Sequence, residues 1–205
     1  RYSSPWNRVK CAVLKECGTK IHMIEFTKGK GKNLDIKQNG ELIKFKIEKS
    51  NLPRGVVVTE YSTDYKNKNL LIDLENQNDF DQLRNLEKEI IKELSNKSPE
   101  IFKKFMNEDE IFDIFNSNLS HDGMLRLKFT TDTILYNESG TALAEKVIYD
   151  GIYTNWEVVC NYMVTGVYFF DKRIGLILKA HHVKLFKTQT KNQCLFSSDS
   201  DSDSD

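Results

Sequence analysis

Apolar and polar positions recur at two different periods along the chain, and the change of period divides it into three parts. In the first third the short, strand-like period dominates. Val9 to Leu14, the run Ile21, Met23, Ile24 and Phe26, and Val56 to Tyr61 all read as strands. Among them lies Asn39-Gly40, a residue pair suited to a type I′ hairpin turn, which needs positive φ at both central positions. Built on that turn, Gln38 faces Glu41, Ile36 faces Ile43 and Leu34 faces Phe45, while Lys37, Lys44 and Lys46 share the other face. The period then lengthens. Phe80, Leu83, Leu86, Ile90, Ile91 and Leu94 fall on one side of a helix expected from Asp79 to Ser95, with Asn78 as its cap. Ser98-Pro99-Glu100 reads as a second helix start, with Pro at the first position and an acid in the first turn, and Ile101, Phe102 and Phe105 follow. A short helix is expected over Glu108–Phe115.

The last third returns to the strand period. Leu125, Leu127 and Phe129 alternate with Arg126, Lys128 and Thr130, giving a half-buried strand with a cationic outer face. Val158–Phe170 and Ile174–Lys187 are two long runs joined by a turn at Asp171–Arg173. In the second run the apolar phase slips by one between Ala180 and Val183, and a bulge at His181–His182 accounts for the slip. No apolar run approaches the roughly 18 residues that a membrane-spanning helix needs, so a soluble chain is expected.

Charge changes this picture more than composition does. The 205 residues carry 30 basic and 30 acidic side chains, a net charge of zero. That neutrality is a sum of opposed segments. Residues 1–68 are net +8, residues 69–122 net −7, residues 123–198 net +3, and the last seven residues net −4. A basic β front, an acidic helical block and an anionic end have very different fields.

The candidate chemistry is sparse. Cys11, Cys17, Cys160 and Cys194 show no metal-ligand spacing and are expected to be reduced, inert thiols in an intracellular, reducing compartment. The adjacent His181 and His182 would point to opposite faces of a strand and lack a third ligand in sequence, so no metal or other cofactor is expected. Glu25, Asp35 and Lys37 weakly match the acid-and-lysine pattern of a metal-dependent nuclease. The loop Lys28-Gly29-Lys30-Gly31-Lys32 lacks phosphate-loop spacing and reads as a cationic finger able to grip a phosphate backbone. No Ser-centred nucleophile motif is present, and no catalytic activity is expected.

The main functional signal is a combination. Lys28, Lys30, Lys32, Lys44, Lys46, Arg126, Lys128, Lys179 and Lys184 are the expected phosphate contacts. Aromatic residues are interleaved with them: Tyr61, Tyr65, Tyr149, Tyr153, Trp156, Tyr162 and Tyr168. Of these, Tyr61, Tyr65, Trp156 and Tyr168 are the expected stacking platforms. Cations that track phosphates and rings that stack bases are the paired features of single-strand binders. The Ser-Asp tail, which includes Ser198, Asp199, Ser200, Asp201, Ser202, Asp203 and Asp205, is expected to be disordered. Tethered near a basic groove, it would occupy that groove until nucleic acid displaced it. Ser198, Ser200 and Ser202 each have Asp three residues on, which suits an acid-directed kinase.

The pattern of β segments, helical insertion and acidic end resembles the single-stranded DNA-binding replication proteins of large DNA viruses, of the poxvirus and African swine fever virus types, and of T7-like phages. The stretch Val158–Phe186 carries the local likeness, with Gly166, Gly175, Lys179, Lys184 and Phe186 in matching places. T7-like tails end in an aromatic residue, where the sequence here reads Asp205. The resemblance implies an OB-type barrel that binds single strands independently of sequence. The expected architecture is therefore α+β, an OB-like β-barrel over residues 1–196 with a helical insertion at about 69–122 and a disordered acidic tail over 197–205. Its expected partners are single-stranded DNA or RNA, replication proteins reached through the tail, and further copies of the chain on DNA, in a host cytoplasm or nucleus if viral. A non-catalytic chaperone or interaction module, binding basic partners through the acidic tail and helices, is the alternative.

Overall fold

The computed structural model describes residues 23–62, 65–144 and 148–188, with backbone alone at 61, 62, 65 and 66. The expected strand at Val9–Leu14, Cys11, Cys17, Cys194 and the acidic tail lie outside the described residues. What is described is mainly β-sheet with a few helices. In chain order these are β1 (Ile24–Lys28), β2 (Leu34–Gln38), β3 (Ile43–Leu52), β4 (Val56–Ser62), β5 (Tyr65–Asp73), α1 (Gln77–Asn96), α2 (Ser98–Phe102), α3 (Glu108–Ile114), β6 (Phe115–Asn116), β7 (Met124–Phe129), β8 (Ile134–Tyr136), β9 (Trp156–Phe170) and β10 (Arg173–Phe186).

β9 and β10 organise the sheet. They form one long antiparallel hairpin, and Asp171 and Lys172 make its turn with both residues at positive φ. On its other edge β9 pairs with β3, β3 with β5, β5 with β7, and β7 runs parallel to β10. Each of these five strands thus pairs with two others of the set, and the pairings return to their start. Two seams are narrow, Asn51 with Asp73 and Lys128 with Lys179. Alternation sends one side chain of every two inward. Ile47, Leu52, Leu70, Ile72, Leu125, Leu127, Val158, Cys160, Val164 and Leu178 are all buried as a result. Burial pushes the Cys160 thiol well above its ordinary pKa, which suits an inert, hydrophobe-like role.

The Asn39-Gly40 turn forms as the pair requires, with φ of 52° and 83° and both backbone hydrogen bonds between Gln38 and Glu41. The ladder expected beyond it does not form. Ile36 pairs with Phe26 rather than Ile43, and Leu34 pairs with Lys28 and Val167 rather than Phe45. The reason is β9, which offers a longer edge than either short strand. Ile43 docks at Val164 and Leu34 at Val167, so β2 and β3 lie end to end along that edge. The approach is close at Gly166, where a Cβ would run into the Leu34 carbonyl oxygen.

The helices fall between β5 and β7. Residues 69–73, expected within the helical insertion, belong to β5. α1 buries Leu83, Leu86, Ile90, Ile91 and Leu94 on one stripe, each contributing about 1.5–3 kcal/mol. Its cap is Asn76, two residues before the expected Asn78, whose backbone N–H donates to the Asn76 side chain. α3 starts with a reciprocal capping box between Asn107 and Glu110. Polar contacts tie the block to its surroundings, among them one from Arg173 of β10 to the Asp113 carbonyl of α3 at 2.9 Å. Ser117 and the Asn118 backbone donate to buried Glu87, and the Glu48 backbone donates to Asp79. Lys97, between α1 and α2, lies over the ring of Phe26 on β1 at 5.2 Å. Among the described residues no helix is long and apolar enough to cross a membrane.

Candidate nucleic-acid interface

The outer face of the strand ring gathers cations that are far apart in sequence. Strand register places Lys44 of β3 beside Met163 of β9, Met163 beside Lys179 of β10, and Lys179 beside Lys128 of β7. One row perpendicular to the strands therefore carries three lysines. Asn69 of β5 continues it next to Lys128. Among the described residues none of the three lysines is ion-paired. Lys46, two residues from Lys44, is exposed and paired with Glu48 at 2.9 Å. Arg126 is exposed on the same face of β7, beside Leu71.

The bulge on β10 decides where Lys184 points. Residues 179 and 184 are an odd number apart, so on a regular strand they would face opposite ways. The register slips between Ala180 and His182, so that Lys179 pairs with Met163 and Lys184 with Val159, both outward positions of β9. The expected bulge therefore does more than accommodate the apolar phase. It brings Lys184 to the face of Lys179, where Lys184 and Lys49 both lie over the Phe186 ring at 5.2 and 5.1 Å. Lys49 also pairs with Glu157 at 2.5 Å.

On the bulge itself, the His181 and His182 rings are 4.0 Å apart, and the Tyr136 hydroxyl is 3.0 Å from His182 Nδ1. Burial, and then the adjacent His181, hold the His182 imidazole below its ordinary pKa. Among the described residues no group of three or more His, Cys, Asp or Glu side chains is placed to hold a metal ion. Glu25 pairs with Lys37 and Thr27 with Asp35, so Glu25, Asp35 and Lys37 share one face of the β1–β2 hairpin.

The rings separate by strand parity. Tyr168 faces outward and lies over Gly175, where an added Cβ would come within 2.5–2.6 Å of the phenol. Gly175 and Lys179 are four residues apart on β10, about 13 Å along the strand. Trp156, expected to stack on bases, instead shares the inward parity of Val158 and Cys160. It packs on the core beside Tyr153, at 5.2 Å between ring centres. Tyr162 is a core residue stacked on Phe45 at 5.3 Å, and burial raises its phenol pKa. Tyr149 is exposed. Tyr61 and Tyr65 fall where β4 turns into β5, and their side chains lie outside the description.

One ring that the sequence reading missed stands out. Phe170 is 77% exposed and two residues from Tyr168, so it shares the outward face. Its signal was present, since a Phe at the tip of a hairpin has little core to enter. Lys28, Lys30 and Lys32 are exposed at the β1–β2 loop, away from the lysine row. Leu34 brings that loop to the Val167–Phe170 end of β9.

No family model matches the chain, and no curated protein matches it. Solved structures do. The chain is similar to the single-stranded DNA-binding protein from bacteriophage Enc34, at 16% identity and a TM-score of 0.40, over 84% of this chain and 96% of that one. It is also similar to that protein in complex with ssDNA, at 15% identity and a TM-score of 0.40, over 78% and 94% of the two chains. Both are phage single-stranded DNA-binding structures.

Proposed function

We propose that the chain is an OB-like barrel protein that binds single-stranded DNA without reading its sequence and without catalysis. The observation that carries this reading is the composition of one face. Lys44, Lys128, Lys179 and Lys184 share it with the outward rings of Tyr168 and Phe170. The lysines supply positive charge along a path on which phosphates can lie, and the rings offer π surfaces to unpaired bases. A duplex hides those base faces, so the rings favour single strands. Five strands paired in a closed order, with β7 and β10 parallel, support the barrel. Replication, recombination or repair is the setting that such an activity fits. The tail with its Ser-Asp repeat would then be a competitor for the basic face and a handle for partner proteins.

The test is a titration of fluorescein-labelled 30-mers, single- and double-stranded, against the whole chain at low salt. The proposal expects tighter binding of the single strand for oligonucleotides of unrelated sequence. Equal affinity for the duplex, or no binding at low salt, would sink it.

A further inference from the structure

Where the β1–β2 loop meets α2 there is a cleft of about 340 Å³ whose walls differ in chemistry. The β1–β2 loop lines it with Lys28, Lys32, Asn33 and Leu34, and α2 and β9 line it with Ile101, Phe102 and Phe169. Phe102 and Phe169 meet edge to face at 5.8 Å, which fixes the apolar wall. The hairpin is held against the helices by Lys97 over Phe26, so the opposing walls are positioned by contacts outside the cleft. The volume lies at the lower end of the range for small-molecule sites, which are mostly apolar with a few placed polar groups.

We propose that this cleft takes one nucleoside monophosphate unit, its base against Phe102 and Phe169 and its phosphate between Lys28 and Lys32. Charge complementarity argues for a phosphate-bearing occupant, since among the described residues the formal charges on the lining are those two lysines. Continuity argues for a nucleotide of a bound strand. Tyr168 and Phe169 are neighbours on β9, one facing the outer lysine surface and the other lining the cleft. A strand lying over Tyr168 can turn one base around this edge of the sheet, and in that respect the inference rests on the single-strand reading. A free nucleotide presents the same chemistry, and the test separates the two sources.

The probes are dTMP, inorganic phosphate, and oligo(dT) 12-mers carrying one 2-aminopurine at successive positions. They are titrated by NMR and fluorescence against the whole chain and two variants. Ile101→Trp fills the cleft, and Lys32→Ala removes an exposed cation without touching the apolar wall. The proposal expects dTMP to shift resonances of Phe102 and Phe169, with affinity lower by roughly tenfold in Ile101→Trp, the scale of one lost stack. One 2-aminopurine position should respond in the wild-type chain and fall silent in Ile101→Trp, while the 12-mer still binds through the outer face. Lys32→Ala should weaken dTMP binding and leave those ring shifts in place. If dTMP does not bind, binds Ile101→Trp equally, or binds no better than inorganic phosphate, the cleft proposal is overturned while 12-mer binding still reports on the outer face. Cleft-dependent dTMP binding with no 12-mer binding would support the cleft for a free nucleotide and overturn the single-strand reading instead.

Discussion

Gly175 and Tyr168 make a unit on the outer face. The glycine leaves room for the phenol against β10, on the face that carries the lysine row and about 13 Å along the strand from Lys179. Gly175→Ala puts a methyl group where the ring now lies, so the ring must leave or the hairpin must deform. Overpacking of this kind costs about 1–3 kcal/mol. Urea unfolding should show that loss for Gly175→Ala. Tyr168→Ala has no such clash, and its larger effect should be on single-strand affinity, by about 1–3 kcal/mol for a stacking ring. If Tyr168→Ala binds oligonucleotides like the wild type, the ring serves only as a cover for Gly175.

At the scale of elements, a buried carboxylate links α1 to the segment between β6 and β7. Burial pushes the Glu87 carboxyl above its ordinary range, more than the hydrogen bonds from Ser117 and Asn118 and the nearby Arg84 pull it down. The folded state therefore holds that proton more tightly than the unfolded chain. Native stability from this group is present at low pH and declines as pH rises from the unfolded pKa through the raised folded one. Glu87→Gln keeps an acceptor for Ser117 and cannot ionise. Its melting temperature relative to the wild type should rise as pH is raised above the ordinary carboxylate range. A difference that stays constant with pH would show that the carboxyl's ionisation plays no part in holding α1.

Many of the elements were legible because their signals are local, whereas β5, whose Tyr65–Asp73 shows no clean alternation, and the short β6 and β8 were not. The Asn39-Gly40 turn, the apolar stripe of α1, the two long C-terminal runs and the phase slip at His181–His182 are each set by neighbours within a few residues. The partners of those elements were not legible. Nothing near Ile43 says that it pairs with Val164 rather than Ile36, because the competing edge comes from a strand more than a hundred residues away. The site shows the same division. Alternation correctly turned Lys44, Arg126 and Lys128 outward, but the parity of an aromatic in β9 depends on its place relative to bulges. Tyr168 follows the register shift opposite Ile177/Leu178 and faces out, whereas Trp156 precedes it and faces in.

For the whole molecule, a net charge of zero says little about its surface. The acids concentrate in the helical block between β5 and β7, and three lysines line one row of the strand ring. That row is the central claim, and salt dependence tests it most directly. Each phosphate neutralised on a single strand contributes about 0.7 to the slope of log affinity against log salt. Replacing Lys44, Lys128 and Lys179 together by Ala should reduce the slope magnitude by about 2 while the chain remains folded by circular dichroism. An unchanged slope in the folded triple variant would mean that the strand does not lie along this row, and would contradict the account.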